Sequence, residues 1–198
     1  MNSEIPYRVG LVVVIALTMS VAVYHRLQAG KTGETISRQT EGYAFAFTLR
    51  LAGLSLWFAT IGYLVFPDGF RWASVPLPDW IRWVGLAVAT LGAWLMYWTL
   101  ASLGKNLTDT VVTRQEATLV THGPYRWVRH PYYVTAAVLM SSVTVLTANW
   151  LIGLTSLLVL LLLAVRTPLE ESLLLARFGD RYRDYQARTG KFVPRFFR

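Results

Sequence analysis

Five apolar stretches dominate this chain and decide the solvent it folds in: Val9 to Leu27, Tyr43 to Phe66, Ile81 to Leu103, Tyr133 to Ala148 and Trp150 to Val165. The first three are long enough to cross the roughly 30 Å hydrocarbon core of a bilayer, which takes about 20 helical residues. The last two are short and must turn near Thr147-Ala148-Asn149-Trp150, which predicts a tight helical hairpin whose arms barely span or stop within the far leaflet. With 54% hydrophobic and 15% charged residues, the composition is too apolar for an ordinary soluble domain of 198 residues. Arg8 precedes the first stretch as it would in a signal peptide, but no small-x-small cleavage site follows, so that stretch is expected to remain as a span. The expected class is an all-α integral membrane protein with five transmembrane helices, the last two a tight hairpin. It is expected to form a single membrane domain over residues 1–198, with three N-terminal transmembrane helices in 1–103 and the functional core in 104–198.

Charge sets the expected orientation. If the N-terminus is outside, the outer segments hold only Arg8, Arg71 and Arg82, and the other sixteen of the nineteen Lys and Arg residues fall inside. Three carboxylates lie outside (Glu4, Asp68, Asp79) and eight inside, so the whole net charge of +8 belongs to the inner face. The positive-inside rule then makes the C-terminus cytoplasmic. The connecting pieces 28–42 and 104–132 and everything after Val165 go to the same side. Basic residues that flank apolar segments suit anionic lipid headgroups and give no exposed stripe for nucleic acid. The chain has no cysteine and only three widely separated histidines, His25, His122 and His130, which argues against a metal centre. Gly85, Ala89 and Ala93 share one face of the third apolar stretch at small-xxx-small spacing, a signal of close helix packing.

Two polar stretches interrupt the apolar pattern. In "THGPYRWVRHPYYV", Gly123-Pro124 and His130-Pro131 are turn or helix-start signals, and Pro131 suits the first turn of the fourth helix. Backbone amides at such a start favour an anion. Tyr125, Trp127, Tyr132 and Tyr133 offer aromatic faces for a purine ring or a sulfonium cation, or else form an interfacial belt with snorkelling arginines. The second stretch begins at Arg166. Thr167-Pro168-Leu169-Glu170 has the form of an N-cap, a proline at the first helical position and a capping-box glutamate. If instead the helix runs through, Arg166 and Glu170 share a face near the membrane interface, where ionisable groups raise a functional hypothesis. Beyond Glu171, apolar and basic residues alternate through Arg188, which predicts a helical tail on the membrane surface that closes over the site.

Arg129-His130-Pro131-Tyr132-Tyr133 resembles the Arg-His-Pro-x-Tyr signature of isoprenylcysteine carboxyl methyltransferases and related integral-membrane phospholipid methyltransferases. The preceding "LVTHGPY", the pair Glu170-Glu171 and the later "FGDRYRDYQARTGKFVP" resemble that family in type and order, over roughly residues 100 to 195. The resemblance implies a membrane methyltransferase that uses S-adenosyl-L-methionine, with a cofactor-binding core in 104–198. It implies that Leu119, Val120, Gly123 and Tyr125 line the cofactor. His130, Pro131 and Tyr133 would then hold its methionine and adenosine portions, Glu170 a ribose hydroxyl or the amino group, and Glu171 a supporting place. Arg166 matches an arginine that faces the substrate carboxylate, so Arg166 and Glu170 are the catalytic candidates. The acceptor would be lipophilic, an isoprenylcysteine-type carboxylate or a related lipid, and would enter from the bilayer. A carboxylate acceptor needs no general base, whereas an amine acceptor would draw on Glu171 or a tyrosine.

Two other classes share some of these features. A nicotinamide-dependent membrane reductase of the sterol-reductase type has a similar C-terminal organisation, but it needs a basic pocket for a 2′-phosphate and more spans. A non-catalytic membrane adaptor would use the arginines for headgroups and Glu170 only as a cap.

Overall fold

The computed structural model describes residues 4–30, 42–106 and 118–195, and within them the chain is all-helical. The helices are α1 (Ile5–Gly30), α2 (Tyr43–Val65), α3 (Pro67–Phe70), α4 (Asp79–Leu103), α5 (Pro131–Thr147), α6 (Trp150–Phe178) and α7 (Asp180–Arg188). Four of them, α1, α2, α4 and α6, are long and apolar enough to cross a membrane. The fifth apolar helix, α5, has 17 residues, which at ~1.5 Å per residue makes it shorter than a typical hydrocarbon core. Large apolar side chains such as Leu54, Phe58, Val65, Trp94 and Leu161 face outward along these helices, a surface suited to lipid. The chain is thus a multi-pass membrane protein. Parts of the connecting pieces 28–42 and 104–132 lie outside the described residues.

α4 lies between α1 and α5, while α6 packs against α2 and α5. Small residues set how closely α4 and α5 approach: a Cβ added at Gly85 would lie 2.8 Å from the Leu146 amide nitrogen, and one at Gly92 would lie 2.9 Å from Leu139 Cδ2. Ala89 and Ala93 of the same face are buried. At one end of this pair, Ala148 takes a left-handed conformation (φ 47°, ψ 46°), and Asn149 caps α6 by accepting from the amides of Leu151 and Ile152 at 3.1 and 3.2 Å. Val75, in the segment between α3 and α4, ties to this turn by donating to the Ala148 carbonyl at 2.7 Å.

α6 corrects the capping reading of Thr167-Pro168-Leu169-Glu170. Its 29 residues run on through Pro168, so Thr167 is an interior residue and no helix starts there. A proline at 168 removes the hydrogen bond that would reach the carbonyl of residue 164. Thr167 replaces it, because its hydroxyl donates to the Ala164 carbonyl at 2.7 Å. Arg166, Glu170 and Glu171 therefore sit on one continuous helix. α6 stops at Gly179 (φ 55°), and α7 turns back over the end of the bundle with Tyr182 and Tyr185 buried beneath it. The chain after α7 pairs with the segment before α5: Arg129 donates its amide to the Gly190 carbonyl at 2.8 Å, and His130 to the Lys191 carbonyl at 3.1 Å.

Candidate active site

The turn ahead of α5 depends on Gly123. Its φ is 58°, and a Cβ there would collide with the Ser102 side chain of α4, so both conformation and space call for glycine. Leu119 is half-buried and Val120 buried just before it. The turn carries Tyr125 inward, where its carbonyl accepts from Tyr185 Oη at 2.6 Å. Burial pushes the Tyr125 phenol pKa up, and the charge of Glu170 adds to the rise. Trp127 behaves differently: it stays 40% exposed, 5.5 Å from the Trp98 ring, with the Arg126 guanidinium 4.0 Å above it. An interfacial-belt role therefore suits Trp127 and Arg126, and does not suit Tyr125.

From His130 onward, the side chains converge on two consecutive glutamates of α6. Pro131 opens α5 at its first turn, and this orients His130 and Tyr133 toward α6. Tyr133 Oη donates to Glu170 Oε2 at 2.7 Å, and His130 Nδ1 lies 3.8 Å from the same oxygen. His130 Nε2 lies 3.1 Å from Glu171 Oε1, and that oxygen also accepts from Arg129 Nε at 2.8 Å. The His130 and Tyr133 rings are parallel, 5.5 Å apart, with Phe192 on the imidazole at 5.7 Å. The two carboxylates are thus unlike. Glu171 is neutralised by a part-buried arginine, whereas Glu170 holds one phenol and its Oε1 accepts nothing among the described residues. Arg166, half-buried one turn earlier on α6, lies within electrostatic reach of Tyr133.

The C-terminal segment closes this cluster. Arg129 Nη1 donates to the carbonyls of Thr189 and, at 3.4 Å, Gln186. Tyr182, 1% exposed, has a buried phenol oxygen with no hydrogen-bond partner among the described residues. Burial raises the pKa of Tyr182, with Glu171 and Glu170 raising it further and Arg129 opposing them; burial raises that of Tyr185 as well. Both phenols are neutral near pH 7.

Among the expected site residues, His130, Pro131, Tyr133, Glu170 and Glu171 come together, with Tyr125 inside the field of Glu170. Leu119 and Val120 precede the turn, and Gly123 is committed to packing on α4. The sequence reading missed Arg129, Tyr182, Tyr185 and Phe192 as members of the cluster. For Tyr182 and Tyr185 the signal was present in their spacing of three in the otherwise polar "DRYRDYQAR", one face of a helix.

A model of the Isoprenylcysteine carboxyl methyltransferase (ICMT) family matches residues 83–176, a span that includes the 123–133 turn, both glutamates and Arg166. Over that span the chain is similar to the family. The protein-S-isoprenylcysteine O-methyltransferase of Tribolium castaneum is 34% identical over 128 residues, covering 58% of this chain and 42% of the relative. Protein-S-isoprenylcysteine O-methyltransferase B of Arabidopsis thaliana is 30% identical over 118 residues, covering 58% of this chain and 60% of the relative. The solved eukaryotic intramembrane Ras methyltransferase of the same family superposes with a TM-score of 0.59 at 27% identity, over 91% of this chain and 67% of that one. The chain spans about half the length of the curated relatives it matches. Within the isoprenylcysteine carboxyl methyltransferase match lie α5 and most of α4 and α6, while α1, α2 and α7 lie outside it.

Proposed function

We propose that this chain is a membrane methyltransferase that transfers a methyl group from S-adenosyl-L-methionine to a lipophilic acceptor, an isoprenylcysteine-type carboxylate or a related lipid. The observation that carries the reading lies inside the family match: Glu170, bonded by Tyr133 and with its other oxygen unbonded among the described residues, stands beside Glu171, which Arg129 and His130 already occupy. Such a pair fits the proposed donor. Unbalanced charge on Glu170 suits an ammonium or a ribose hydroxyl, and the stacked His130–Tyr133 pair with Tyr125 offers aromatic surface to a purine or a sulfonium. In this reading Leu119, Val120, Gly123 and Pro131 shape the pocket wall, and Arg166 faces the acceptor carboxylate.

Bound at this site, the donor supplies a methyl group on a sulfonium sulfur, and its transfer to an anionic acceptor neutralises charge. The residues of the chain hold the two reactants in line and keep water out, which is where much of the acceleration in such a displacement arises. Glu171 carries two donors on one oxygen and is a poor proton acceptor for an incoming amine, which favours a carboxylate acceptor that needs no base. The charge distribution supports an outside N-terminus, with the C-terminus and active site in the cytoplasm. Arg188 is exposed on α7, so Arg188→Cys should react with an impermeant label only from the cytoplasmic side. Labelling from outside reverses the orientation.

The central test is a melting measurement in detergent with S-adenosylhomocysteine, using reduced nicotinamide dinucleotide phosphate as comparison. A ligand at a hundredfold excess over its dissociation constant adds about 2.7 kcal/mol of apparent stability. Stabilisation by the homocysteine compound alone supports the methyltransferase. Stabilisation by the dinucleotide alone selects a reductase, and a response to neither returns the adaptor.

A further inference from the structure

Tyr182 has the chemistry of a binding residue and no hydrogen-bond partner among the described residues. Its ring is 1% exposed, its phenol oxygen is buried, and that oxygen makes no hydrogen bond among the described residues. Buried hydroxyls are nearly always paired, because an unpaired one carries its full desolvation penalty. Tyr185, three residues on, shows that burial in α7 does not itself exclude pairing: the two rings lie 6.0 Å apart, yet the Tyr185 phenol donates to the Tyr125 carbonyl at 2.6 Å. Besides burial, charged groups act on the Tyr182 phenol. The charges acting on its phenol are those of Glu171, Arg129 and Glu170, the same groups that form the candidate site.

We propose that Tyr182 is a ligand-binding residue of this site, its phenol donating to the carboxylate of the methyl donor's amino-acid end while Glu170 receives the ammonium of the same end. The proposal rests on the methyl-donor reading above. Its division of labour follows from charge. An amino-acid end carries one cation and one anion. The open oxygen of Glu170 attracts the cation and repels the anion, so the anion needs a donor that adds no negative charge beside two glutamates. A neutral phenol satisfies that requirement, and Arg129 next to it balances Glu171. α7 joins α6 through Gly179, a residue with positive φ and open space around its Cβ position.

The test is a calorimetric titration in detergent of wild type, Tyr182→Phe and Tyr185→Phe. The ligands are S-adenosylhomocysteine and methylthioadenosine, which keeps the nucleoside and sulfur but lacks the amino-acid end. Melting of each protein without ligand is recorded alongside. Tyr182→Phe should melt no lower than wild type, bind S-adenosylhomocysteine roughly tenfold more weakly, and bind methylthioadenosine unchanged. Tyr185→Phe, which loses a made hydrogen bond, should melt lower. A drop in melting for Tyr182→Phe overturns the proposal by revealing a protein partner for the phenol. Unchanged affinity for S-adenosylhomocysteine also overturns it, and equal loss for both ligands overturns the assignment to the amino-acid end. If wild type binds neither ligand, the methyl-donor reading falls and takes this proposal with it. If wild type binds and the variant matches it, only this proposal falls.

Discussion

Two arginines anchor polar clusters at opposite ends of α5, and they use their chemistry differently. Arg82, 6% exposed, donates through both terminal nitrogens to Glu4 at 2.6 and 2.7 Å and through Nε to the Leu146 carbonyl at 3.0 Å, with the Tyr7 ring 3.6 Å beneath. Tyr63 adds a further bond to Glu4 at 2.9 Å. One guanidinium thereby joins the start of α1, the end of α2 and the start of α4, and it caps a carbonyl in the last turn of α5. Arg129 also links a glutamate to backbone carbonyls, but it does so beside Glu170 and Tyr182, where one carboxylate oxygen and the phenol have no hydrogen-bond partner among the described residues. In the first cluster all three Arg82 nitrogens and both Glu4 oxygens are bonded, and it reads as a structural clamp. The second keeps unfilled polar capacity among the described residues, as the ligand site proposed above requires.

The most severe way to break this contrast is Arg82→Leu. It strands Glu4 and uncaps the Leu146 carbonyl, and it should lower unfolding free energy by about 3 kcal/mol, the low end for a broken buried pair because Glu4 remains 36% exposed. Denaturant unfolding in detergent measures this. Affinity of the folded fraction for S-adenosylhomocysteine should be unchanged. A large loss of affinity would mean that the two ends are coupled and that the clamp reading is incomplete.

Glu170→Gln should do the reverse. The substitution keeps shape and removes the charge, so ligand affinity should fall by about 1.5–3 kcal/mol, the worth of a charge-assisted hydrogen bond, while stability changes by under ~1 kcal/mol. A stability loss matching that of Arg82→Leu would make both clusters structural and erase the distinction between them.

Much of the helical frame was legible because apolar length and helix-start chemistry are local signals: Pro131 opens α5, and α4 presents Gly85, Ala89 and Ala93 to a neighbour. The convergence of His130, Tyr133 and the paired glutamates was legible only through family resemblance. The clamp was not legible at all. Arg82 and Glu4 stand 78 residues apart, and no periodicity says which distant carboxylate a buried guanidinium will meet. The stretch Thr167-Pro168-Leu169-Glu170 left two readings open for a different reason, since the same residue types serve as an N-cap or as a repaired helix interior, and the choice depends on whether tertiary packing carries the helix onward.

That repair gives a smaller test. Thr167→Val keeps shape and deletes the hydroxyl that satisfies the Ala164 carbonyl beside Pro168, so it should reduce stability by about 1 kcal/mol. Because Arg166, Glu170 and Glu171 lie immediately beyond, the ligand response reports whether helix continuity positions them. A loss of affinity together with stability would tie the site to the proline turn, and stability loss alone would confine Thr167 to local repair.

Acidification produces the smallest effect and separates the clusters by the charge state of one carboxyl. The hydrogen bonds from Arg82 outweigh burial and hold the Glu4 pKa below the ordinary glutamate range. A carboxyl depressed in the folded state stabilises the fold fully above its unfolded pKa, about 4.3, and loses that contribution as pH falls through the lower folded value. The melting advantage of wild type over Glu4→Gln should therefore be constant from pH 7 to about pH 5 and shrink below that. A difference that stays flat into acid would show that Glu4 holds Arg82 as a neutral hydrogen-bond acceptor. The clamp would then depend on geometry without charge, and the contrast with Glu170, whose proposed task requires an anion, would become sharper still.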